Sequence, residues 1–254
     1  GFVIPNGTIT GRMAHRNPNM AQVPSSYSPY GKECRACWNV GEGNVLLGVD
    51  ASGLELRMLA HYMKDDEYIK EILDGDIHTA NQKAARLKSR NQAKTFIYAL
   101  MYGAGDEKLG KVVEGNTRDG KRAREHFFNN NPAFKSLRDR VTRAAGKKFL
   151  KGLDGRKLYI RHTHAALNTL LQGAGAIVMK KALVILDELL KLNTIDYKFV
   201  ANIHDEWQIE VKESQAEFTG ELAVKSIIQA GEEFNLLCPM DGEYKIGRNW
   251  SETH

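Results

Sequence analysis

The sequence lacks the features that mark several classes of protein. Its 254 residues include only three cysteines and six prolines, while 42% of the residues are apolar and 26% are charged. Three cysteines, an odd number, exclude a disulfide-stapled scaffold and predict free thiols in a reducing compartment. The low proline content and the ordinary apolar fraction exclude disordered and collagen-like chains, and they leave enough apolar residues for a sizeable core.

Long hydrophobic runs are also missing from the sequence. None approaches the roughly 18 to 20 apolar residues that a membrane-spanning helix needs. The first residues, 1–5, do not combine a basic stretch with a long apolar one, as a secretory signal does. We therefore expect a soluble, unsecreted protein of the cytoplasm. Its net charge is mildly positive, at +5, and the segment 76–150 is the strongly basic part.

Hydrophobic periodicity and turn residues predict the order of the secondary-structure elements. The predictions are, along the chain, loop and short strand over 1–44, a buried strand over 45–49, a helix over 54–62, a polar connection at 65–66, helices between 76 and 150, a hairpin over 149–161, a helix over 165–192, strands over 197–203 and 207–211, and a helical segment over 213–237. Asp50 follows the first buried strand, and Asp205 lies in the turn between the last two strands.

Asp50 and Asp205 are far apart in the sequence but similarly placed among apolar residues. Two carboxylates brought together by one sheet repel each other unless cations bridge them. Two Mg²⁺ ions about 3.5 to 4 Å apart are the recurrent solution, because they activate an attacking hydroxyl and clamp the leaving oxygen of a phosphoryl displacement. The alternative is that each aspartate only ends a strand or caps a turn.

A second pattern repeats every four residues within the basic segment. It consists of Arg90, Lys94, Tyr98 and Tyr102. Positions four apart drift by only about 40° per step on a helix, so these side chains form one stripe. Two cations can neutralise a triphosphate, and an aromatic ring one turn later can stack on a base, which makes this a candidate nucleotide-binding helix. The alternative is a solvated cationic face whose tyrosines reach the core.

Three segments together resemble the ordered polymerase motifs of family A, the DNA polymerase I-type enzymes. They are residues 50–57 (DASGLELR), 90–103 (RNQAKTFIYALMYG) and 204–206 (HDE). Further matches, in family order, are residues 10–12 (TGR) with 18–19 (PN), Arg35, 75–78 (GDIH), 152–156 (GLDGR), and Asn168 with Gln172. The likeness covers essentially the whole chain and is greatest to the replicative DNA polymerases of T-odd bacteriophages. Three motifs in this order and spacing are highly specific.

The resemblance assigns metal binding to three residues of this chain. Asp50, Asp205 and the carbonyl of Ala51 would hold two Mg²⁺ ions, for which Mn²⁺ could substitute. Glu206 would support this metal site without binding the ions itself.

The resemblance assigns the incoming deoxynucleoside triphosphate (dNTP) to the stripe and its neighbours. Arg90, Lys94 and His78 would bind the triphosphate, and Lys94 would also donate a proton to pyrophosphate. Tyr98 would stack near the sugar, with Glu55 packed beneath it. A 2′-hydroxyl would then clash or leave a polar group unpaired, so that deoxyribonucleotides are favoured.

The resemblance also implies a set of DNA contacts. Tyr102 would lie under the templating base pair, and the other implied contacts are Arg12, Asn168, Gln172, His204 and Arg156. In the minor groove such contacts are tolerant of sequence, because acceptor positions are similar for every base pair. Alternatives stay open for single residues: Asn168 and Gln172 could bond each other, His204 could be a turn histidine, Tyr102 a core residue and Arg12 plain surface.

Three further patterns we interpret as having no catalytic role. Residues 34–37 (CRAC) resemble half of a zinc or redox site, but the sequence has no second such pair. Residues 105–112 approach a phosphate-binding loop, although a valine replaces the required Ser or Thr. His162 and His164 we expect at the surface.

The resemblance implies an α+β fold with the right-hand arrangement of a polymerase. A palm, made of an antiparallel sheet with helices on one side, would contain residues 1–76 and 163–254, and helical fingers, residues 77–162, would be inserted between its halves. The thumb and the exonuclease domain of family members have no counterpart in the sequence. We therefore expect a C-terminal piece of a longer polymerase, with the N-terminal part as a partner.

The reaction implied is template-directed DNA synthesis on primer–template DNA, with dNTPs as substrates and no membrane involved. Two alternatives remain. One is a single-subunit RNA polymerase relative, against which Glu55 with Tyr98 argues. The other is a catalytically incomplete fragment that binds primer–template DNA without efficient turnover.

Overall fold

Helices and one four-stranded antiparallel sheet dominate the fold. The computed structural model describes residues 1–253. The helices are α1 (Gly31–Ala36), α2 (Leu54–Met63), α3 (Asp66–Leu73), α4 (Ile77–Ala85), α5 (Arg90–Met101), α6 (Asp106–Val112), α7 (Thr117–Asn130), α8 (Pro132–Ala145), α9 (Ala166–Leu192) and α10 (Ala216–Glu233). The strands are β1 (Phe2–Ile4), β2 (Ala14–Arg16), β3 (Asn44–Ala51), β4 (Phe149–Lys151), β5 (Lys157–Tyr159), β6 (Tyr197–Ile203), β7 (Glu206–Lys212) and β8 (Gly242–Gly247).

The chain forms two compact units. Unit 1 combines residues 1–54 with the residues from Gly173 onward, and unit 2 is the intervening stretch, Glu55–Gln172. The predicted limits of palm and fingers, at 76–77 and 162–163, concern subdomains of a polymerase family. This division into units does not test them, and they stay predictions.

The sheet of unit 1 has the strand order β6-β7-β3-β8, and neighbouring strands are antiparallel. Strand β3 pairs on both sides, and its segment 45–49 is buried, as its apolar sequence predicts. Helix α10 packs against β8 and β3. At Gly220 of α10 a Cβ atom would lie 2.5 Å from the Tyr244 ring of β8, so only glycine allows this close approach.

Most predicted elements of the sheet are confirmed. The strand predicted over 45–49 is present and continues to Ala51, and the strands predicted over 197–203 and 207–211 correspond to β6 and β7. Glu206 belongs to β7 and not to the preceding turn. Strand β8 was not predicted. It lies at the edge of the sheet, and its short polar–apolar pattern between glycines carries a weak signal.

Unit 2 is helical, with the short hairpin β4–β5 that Asp154 and Gly155 predict. Its core contains three phenylalanines that are fully buried, Phe96, Phe127 and Phe134. Their ring centroids lie 6.1 Å apart for the first two and 5.2 Å apart for the last two, in edge-to-face geometry. Such pairs stabilise a core beyond the area that they bury.

Two sequence predictions of irregular structure are correct only in part, since Asp65 does lie between helices and the segment 1–44 does contain the short strands β1 and β2. Residues 65–66 were predicted as a polar connection, but the Asp65 side chain accepts a hydrogen bond from the Tyr68 amide and thereby caps α3. The segment 1–44, predicted as loop and strand, contains the short helix α1. At six residues it is too short for periodicity to reveal.

No uninterrupted apolar run of membrane-spanning length was predicted, but one helical stretch of the described residues is long enough and, on average, apolar enough to span a membrane. The stretch Thr163–Leu192 qualifies by length and composition, with a mean hydropathy of 1.5 in its most apolar window. Within the protein, 67% of that window is buried. This burial is what a core helix of a soluble protein shows, because its apolar residues pack against the rest of the chain.

Candidate active site

Asp50 and Asp205 lie at the same end of the unit 1 sheet. Asp50 is the last residue but one of β3, and its Cα partner in β7 is Glu206, which directly follows Asp205. The backbone amide of Ala51 donates a hydrogen bond to the carbonyl oxygen of Asp205, with an N···O distance of 3.4 Å. Antiparallel pairing of β3 with β7 therefore brings together two acids that are far apart in the sequence.

The turn between β6 and β7 is tight. Ile203 and Glu206 are paired, so only His204 and Asp205 form the loop. His204 has a φ of 58°. A positive φ at the first of two loop residues is the type II′ pattern, whose twist suits the flanking strands. This short loop holds Asp205 close to the end of β3.

The oxygens of this cluster suit a hard divalent cation. Mg²⁺ takes one or two carboxylates, keeps several waters and completes its shell with substrate phosphates. Asp50, Asp205 and the carbonyl of Ala51 supply such a set of oxygens, and both aspartates are half-buried. Within residues 1–253 no group of three or more His, Cys, Asp or Glu side chains has metal-binding spacing.

Arg12 and His204 lie near one another in unit 1. Desolvation lowers the pKa of His204, and the positive charge of Arg12 lowers it further. Arg12 is half-buried, so the alternative that it is plain surface is not what the structure shows. His204 is exposed beside the acids.

The predicted stripe lies on one helix of unit 2. Helix α5 begins at Arg90, and Tyr102 directly follows its last residue. Arg90 and Lys94 are exposed and Tyr98 is half-buried. The Tyr98 and Tyr102 rings meet edge to face, with centroids 6.3 Å apart. The side chains thus change along the stripe from exposed cations to paired rings.

A carboxylate that the sequence analysis did not single out binds the first cation of the stripe. The Nε of Arg90 donates to Oδ2 of Asp76 at 2.7 Å. Asp76 also caps α4, since its side chain accepts from the amides of His78 and Thr79. The hydrogen bonds from Arg90 and Thr79 hold the pKa of Asp76 well below its usual range. Its position two residues before His78, at a helix start, is the signal that could have identified it.

His78 lies within the electrostatic reach of both stripe cations. Desolvation lowers its pKa, and the positive charges of Arg90 and Lys94 lower it further. Its Nδ1 atom is buried and has no hydrogen-bond partner. The structure therefore gathers all three predicted triphosphate ligands in unit 2.

Glu55 is hydrogen-bonded to the second tyrosine of the stripe. The hydroxyl of Tyr102 donates to Oε2 of Glu55 at 2.8 Å, and Glu55 is buried. The resemblance places Glu55 with Tyr98 and gives no sign of this bond to Tyr102. Tyr102 is 43% exposed, so the alternative that it is a core residue is wrong.

The remaining candidates for DNA contacts in unit 2 occupy different settings. Asn168 and Gln172 lie four residues apart on α9, but Oδ1 of Asn168 is buried and has no hydrogen-bond partner, so it does not accept from Gln172. Arg156 is exposed in the β4–β5 turn, where its Nε donates to Oδ2 of Asp154 at 2.7 Å. A contact between Arg156 and a ligand would therefore compete with its internal ion pair to Asp154.

The patterns that were set aside are also placed by the structure. Cys34, Cys37 and Cys238 form no disulfide bond with one another. His162 and His164 are exposed, as predicted, and their rings stack with centroids 5.4 Å apart.

Comparison with known proteins decides the family. A family model described as DNA polymerase family A matches residues 3–252. The chain belongs to DNA polymerase family A. Its relatives include the DNA-directed DNA polymerases of Enterobacteria phage T3, 43% identical, and Escherichia phage T7, 42% identical, each over 100% of this chain and 41% of the relative. DNA polymerase I of Aquifex aeolicus is 31% identical over 97% of this chain and 45% of the relative.

The fold is that of a polymerase domain. A solved structure described as the POL domain of Pol1 from M. smegmatis in complex with DNA primer-template and dNTP matches with a TM-score of 0.89, covering 99% of this chain and 48% of that one at 24% identity. The predicted α+β fold with an antiparallel sheet is thus confirmed. The family A chain spans about two fifths of the length of the phage relatives that it matches.

Proposed function

We propose that the protein takes part in template-directed DNA synthesis, in which the 3′-hydroxyl of a primer attacks the α-phosphate of a dNTP and pyrophosphate leaves. Membership of DNA polymerase family A supports the reaction class. The observation that carries the proposal is the pairing of Asp50 with Glu206, since this register sets the two aspartates side by side at one end of the sheet.

Asp50, Asp205 and the Ala51 carbonyl are the proposed metal ligands. Two Mg²⁺ ions, when bound, lower the pKa of the attacking hydroxyl and neutralise charge on the leaving oxygen. The aspartates serve this purpose because they are held on paired strands and a two-residue turn, which restricts their motion. Mn²⁺ also prefers such oxygen donors and is the natural probe for the site.

Arg90, Lys94 and His78 are the proposed triphosphate ligands. The two exposed cations attract a polyanion, and Lys94 Nζ carries the proton that pyrophosphate needs as it leaves. The imidazole of His78, whose lowered pKa keeps it neutral near pH 7, can donate one N–H to a phosphate oxygen without adding charge. The unpartnered Nδ1 supports a role for this ring in ligand binding.

Glu55 and the two tyrosines are the proposed basis for selecting deoxyribose. A buried carboxylate that already accepts from Tyr102 has little room to rearrange. A 2′-hydroxyl packed against it, beside Tyr98, would be rejected by steric overlap or by an unmet hydrogen bond. The RNA polymerase alternative predicts equal use of ribonucleotides, and family membership argues against it.

The proposed partner of the protein is primer–template DNA. Arg12, His204, Asn168 and Gln172 are the proposed minor-groove contacts, with Tyr102 and Arg156 as further contacts. A basic chain binds phosphates independently of sequence, so the affinity should fall steeply with salt. The remaining part of a longer polymerase is a second proposed partner, because the chain spans 41% of its phage relatives. Such relatives support a cytoplasmic setting, which we also propose.

Primer extension tests this function directly. The protein is incubated with primer–template DNA, Mg²⁺ and dNTPs at low salt, beside Asp50→Asn and Asp205→Asn. We expect extension by the native chain and a loss of about a thousandfold or more in each variant, because losing part of the metal's stabilisation costs several kcal/mol of activation free energy. Melting temperatures of the variants check that they fold.

Two outcomes would overturn the proposal. Extension that persists in both variants would exclude the aspartates as metal ligands. Binding of primer–template DNA without extension by the native chain would favour the alternative of an incomplete fragment. This alternative is favoured by the observation that the chain spans only 41% of the length of its phage relatives.

A further inference from the structure

A buried polar cluster lies directly behind the aspartates of unit 1. It consists of Glu206, Gln208, Thr253 and Arg35, each no more than 6% exposed, together with the indole of Trp250 at 2%. Buried charges and amides are costly unless they are hydrogen-bonded. So many buried polar groups next to the candidate metal site call for a specific explanation.

The cluster is a chain of hydrogen bonds that ends on Glu206. Nε2 of Gln208 and Nε1 of Trp250 both donate to Oε1 of Glu206, at 2.5 and 2.7 Å. The hydroxyl of Thr253 donates to Oε1 of Gln208 at 2.8 Å. Because a carboxylate only accepts, the bond from Thr253 fixes which end of the Gln208 amide faces Glu206. Residues near the C-terminus thus orient a carboxylate on β7.

A glycine in strand β3 leaves room for this chain of hydrogen bonds. Gly48 is the Cα partner of Gln208. A Cβ atom at Gly48 would lie 2.2 Å from the carbonyl oxygen of Thr253 and 2.7 Å from Nε2 of Gln208. Only glycine leaves room for both groups against the strand that carries Asp50.

A buried cation balances the carboxylate. The guanidinium of Arg35 lies over the Trp250 ring, 4.3 Å from its centroid, and Nε of Arg35 donates to the carbonyl of Pro24. Burial lowers the pKa of Arg35, and the negative charge of Glu206 raises it. The face of the Trp250 indole therefore packs against the Arg35 cation, and the N–H at the edge of the ring donates to the Glu206 anion.

We infer that Gln208, Trp250 and Thr253 are positioning residues that hold the Glu206 carboxylate in place and thereby set the geometry of the Asp50–Asp205 pair for metal binding. Glu206 is the residue after Asp205 and the strand partner of Asp50, so a shift of its backbone also moves the backbone next to both aspartates. Removing a group that hydrogen-bonds directly to a metal ligand commonly changes metal affinity by about 10- to 100-fold. Gln208 and Trp250 bond instead to the residue next to a proposed ligand, so we expect effects at or below the lower end of that range. This inference rests on the proposed metal-binding role of the two aspartates.

A matched control lies next to Glu206 in the sequence. Trp207 is buried like Trp250, but its Nε1 has no hydrogen-bond partner. Trp250→Phe and Trp207→Phe therefore remove similar packing area, whereas only Trp250→Phe removes a donor to Glu206. Thr253→Val and Thr253→Ser form a second pair, because serine keeps the hydroxyl that orients Gln208 and valine does not.

The test measures binding of Mn²⁺ to the whole chain by electron paramagnetic resonance of the free ion, without DNA or nucleotide. We expect the apparent dissociation constant to rise about tenfold in Trp250→Phe and several-fold in Thr253→Val. Trp207→Phe and Thr253→Ser should bind Mn²⁺ as the native chain does. Melting temperatures are measured beside each titration, because a purely structural role would lower them equally in both tryptophan variants.

Each result distinguishes the inference from the function on which it rests. Equal Mn²⁺ affinity in the two tryptophan variants, or in the two threonine variants, would overturn the inference. Native Mn²⁺ affinity in Asp205→Asn would overturn the proposed metal site itself. If Trp250→Phe fails to fold, the threonine pair decides alone, since those substitutions change few atoms.

Discussion

The two candidate sites differ in how their charges are held. In unit 1 the acids lie at the end of a buried sheet, and Glu206 beside them is fixed by two donors from within the protein. In unit 2 the cations project from an exposed helix face, and Arg90 is paired with Asp76 where both side chains are about half exposed, at 52% and 41%. The carboxylate of Glu206, beside the two aspartates, is thus held by internal donors, whereas the cations of the stripe are accessible to solvent.

This difference follows from the ligand that each site is proposed to bind. Two carboxylates at short range repel, so they need a rigid frame that keeps them in place until cations bind. Cations that receive a triphosphate gain from flexible side chains, which can follow a substrate that arrives and leaves. Removing a carboxylate from the unit 1 site should therefore weaken metal binding. Removing a cation from the unit 2 site should instead slow the reaction of the nucleotide.

The largest effect that would sharpen this comparison is expected at Lys94. Lys94→Ala should lower kcat for primer extension about 100-fold or more, because a positioned proton donor contributes about 100- to 10,000-fold. Mn²⁺ binding without nucleotide should stay native. Lys111→Ala is the control, since Lys111 is an exposed lysine paired only with Glu107 four residues earlier. A loss of Mn²⁺ binding in Lys94→Ala would contradict the assignment of metal binding to unit 1 and of nucleotide binding to unit 2.

The next largest effect is expected at Glu55. Glu55→Ala should raise incorporation of ribonucleotides relative to deoxyribonucleotides by about 10- to 100-fold, the range for one steric or polar contact in a pocket. Glu55→Gln keeps the size of the side chain and can still accept from Tyr102, so its selectivity should stay close to native. Competition between a ribonucleotide and its deoxy form measures both. Unchanged selectivity in Glu55→Ala would remove this residue from sugar recognition.

A smaller effect is expected at Asp76. Asp76→Asn keeps a good helix cap for α4 but removes a negative charge beside Arg90. Because a carboxylate repels the triphosphate at short range in water, KM for dNTP should fall about threefold at low salt, and added salt should reduce the difference. Steady-state kinetics at two salt concentrations measure it. A rise in KM would instead indicate that Asp76 positions Arg90.

The smallest effect concerns pH and His78. Its pKa is lowered in the folded protein, so the unfolded chain takes up the proton first as the pH falls. The folded state therefore loses stability as the pH falls through the ordinary histidine pKa of about 6.5. His78→Gln should lose less stability than the native chain between pH 7.5 and 5.5. Denaturant unfolding at both values measures the difference, and an equal loss would show that the lowered pKa of His78 contributes little to the pH dependence.

The sequence predicted those parts of the sites that depend on local pattern. Spacing of four residues sufficed to place Arg90, Lys94 and Tyr98 on one helix face, because helical geometry is local. That Asp50 and Asp205 meet followed from the family resemblance and not from their spacing, and the pairing of β3 with β7 does bring them to the same end of the sheet. Helix α3 was missed because Asp65 and Asp66 suggested a polar connection, although the first of them is a cap.

The parts that could not be predicted depend on long-range packing. Strand β8 pairs at the sheet edge, and the bond from Trp250 to Glu206 joins residues that are 44 positions apart in the sequence. Neither leaves a periodic trace in the sequence. The bond between Tyr102 and Glu55 also depends on how α2 and the end of α5 are placed within unit 2.

Counting bound metal ions tests the central claim most directly. Mn²⁺ is titrated into the protein with saturating dNTP and a primer–template whose primer lacks the 3′-hydroxyl, so that no reaction occurs. The account predicts that the native chain binds two Mn²⁺ ions. Their binding should be lost or strongly weakened in Asp205→Asn, and it should be retained in Lys94→Ala when dNTP is saturating. Two tightly bound ions in Asp205→Asn, or none in the native chain, would contradict it.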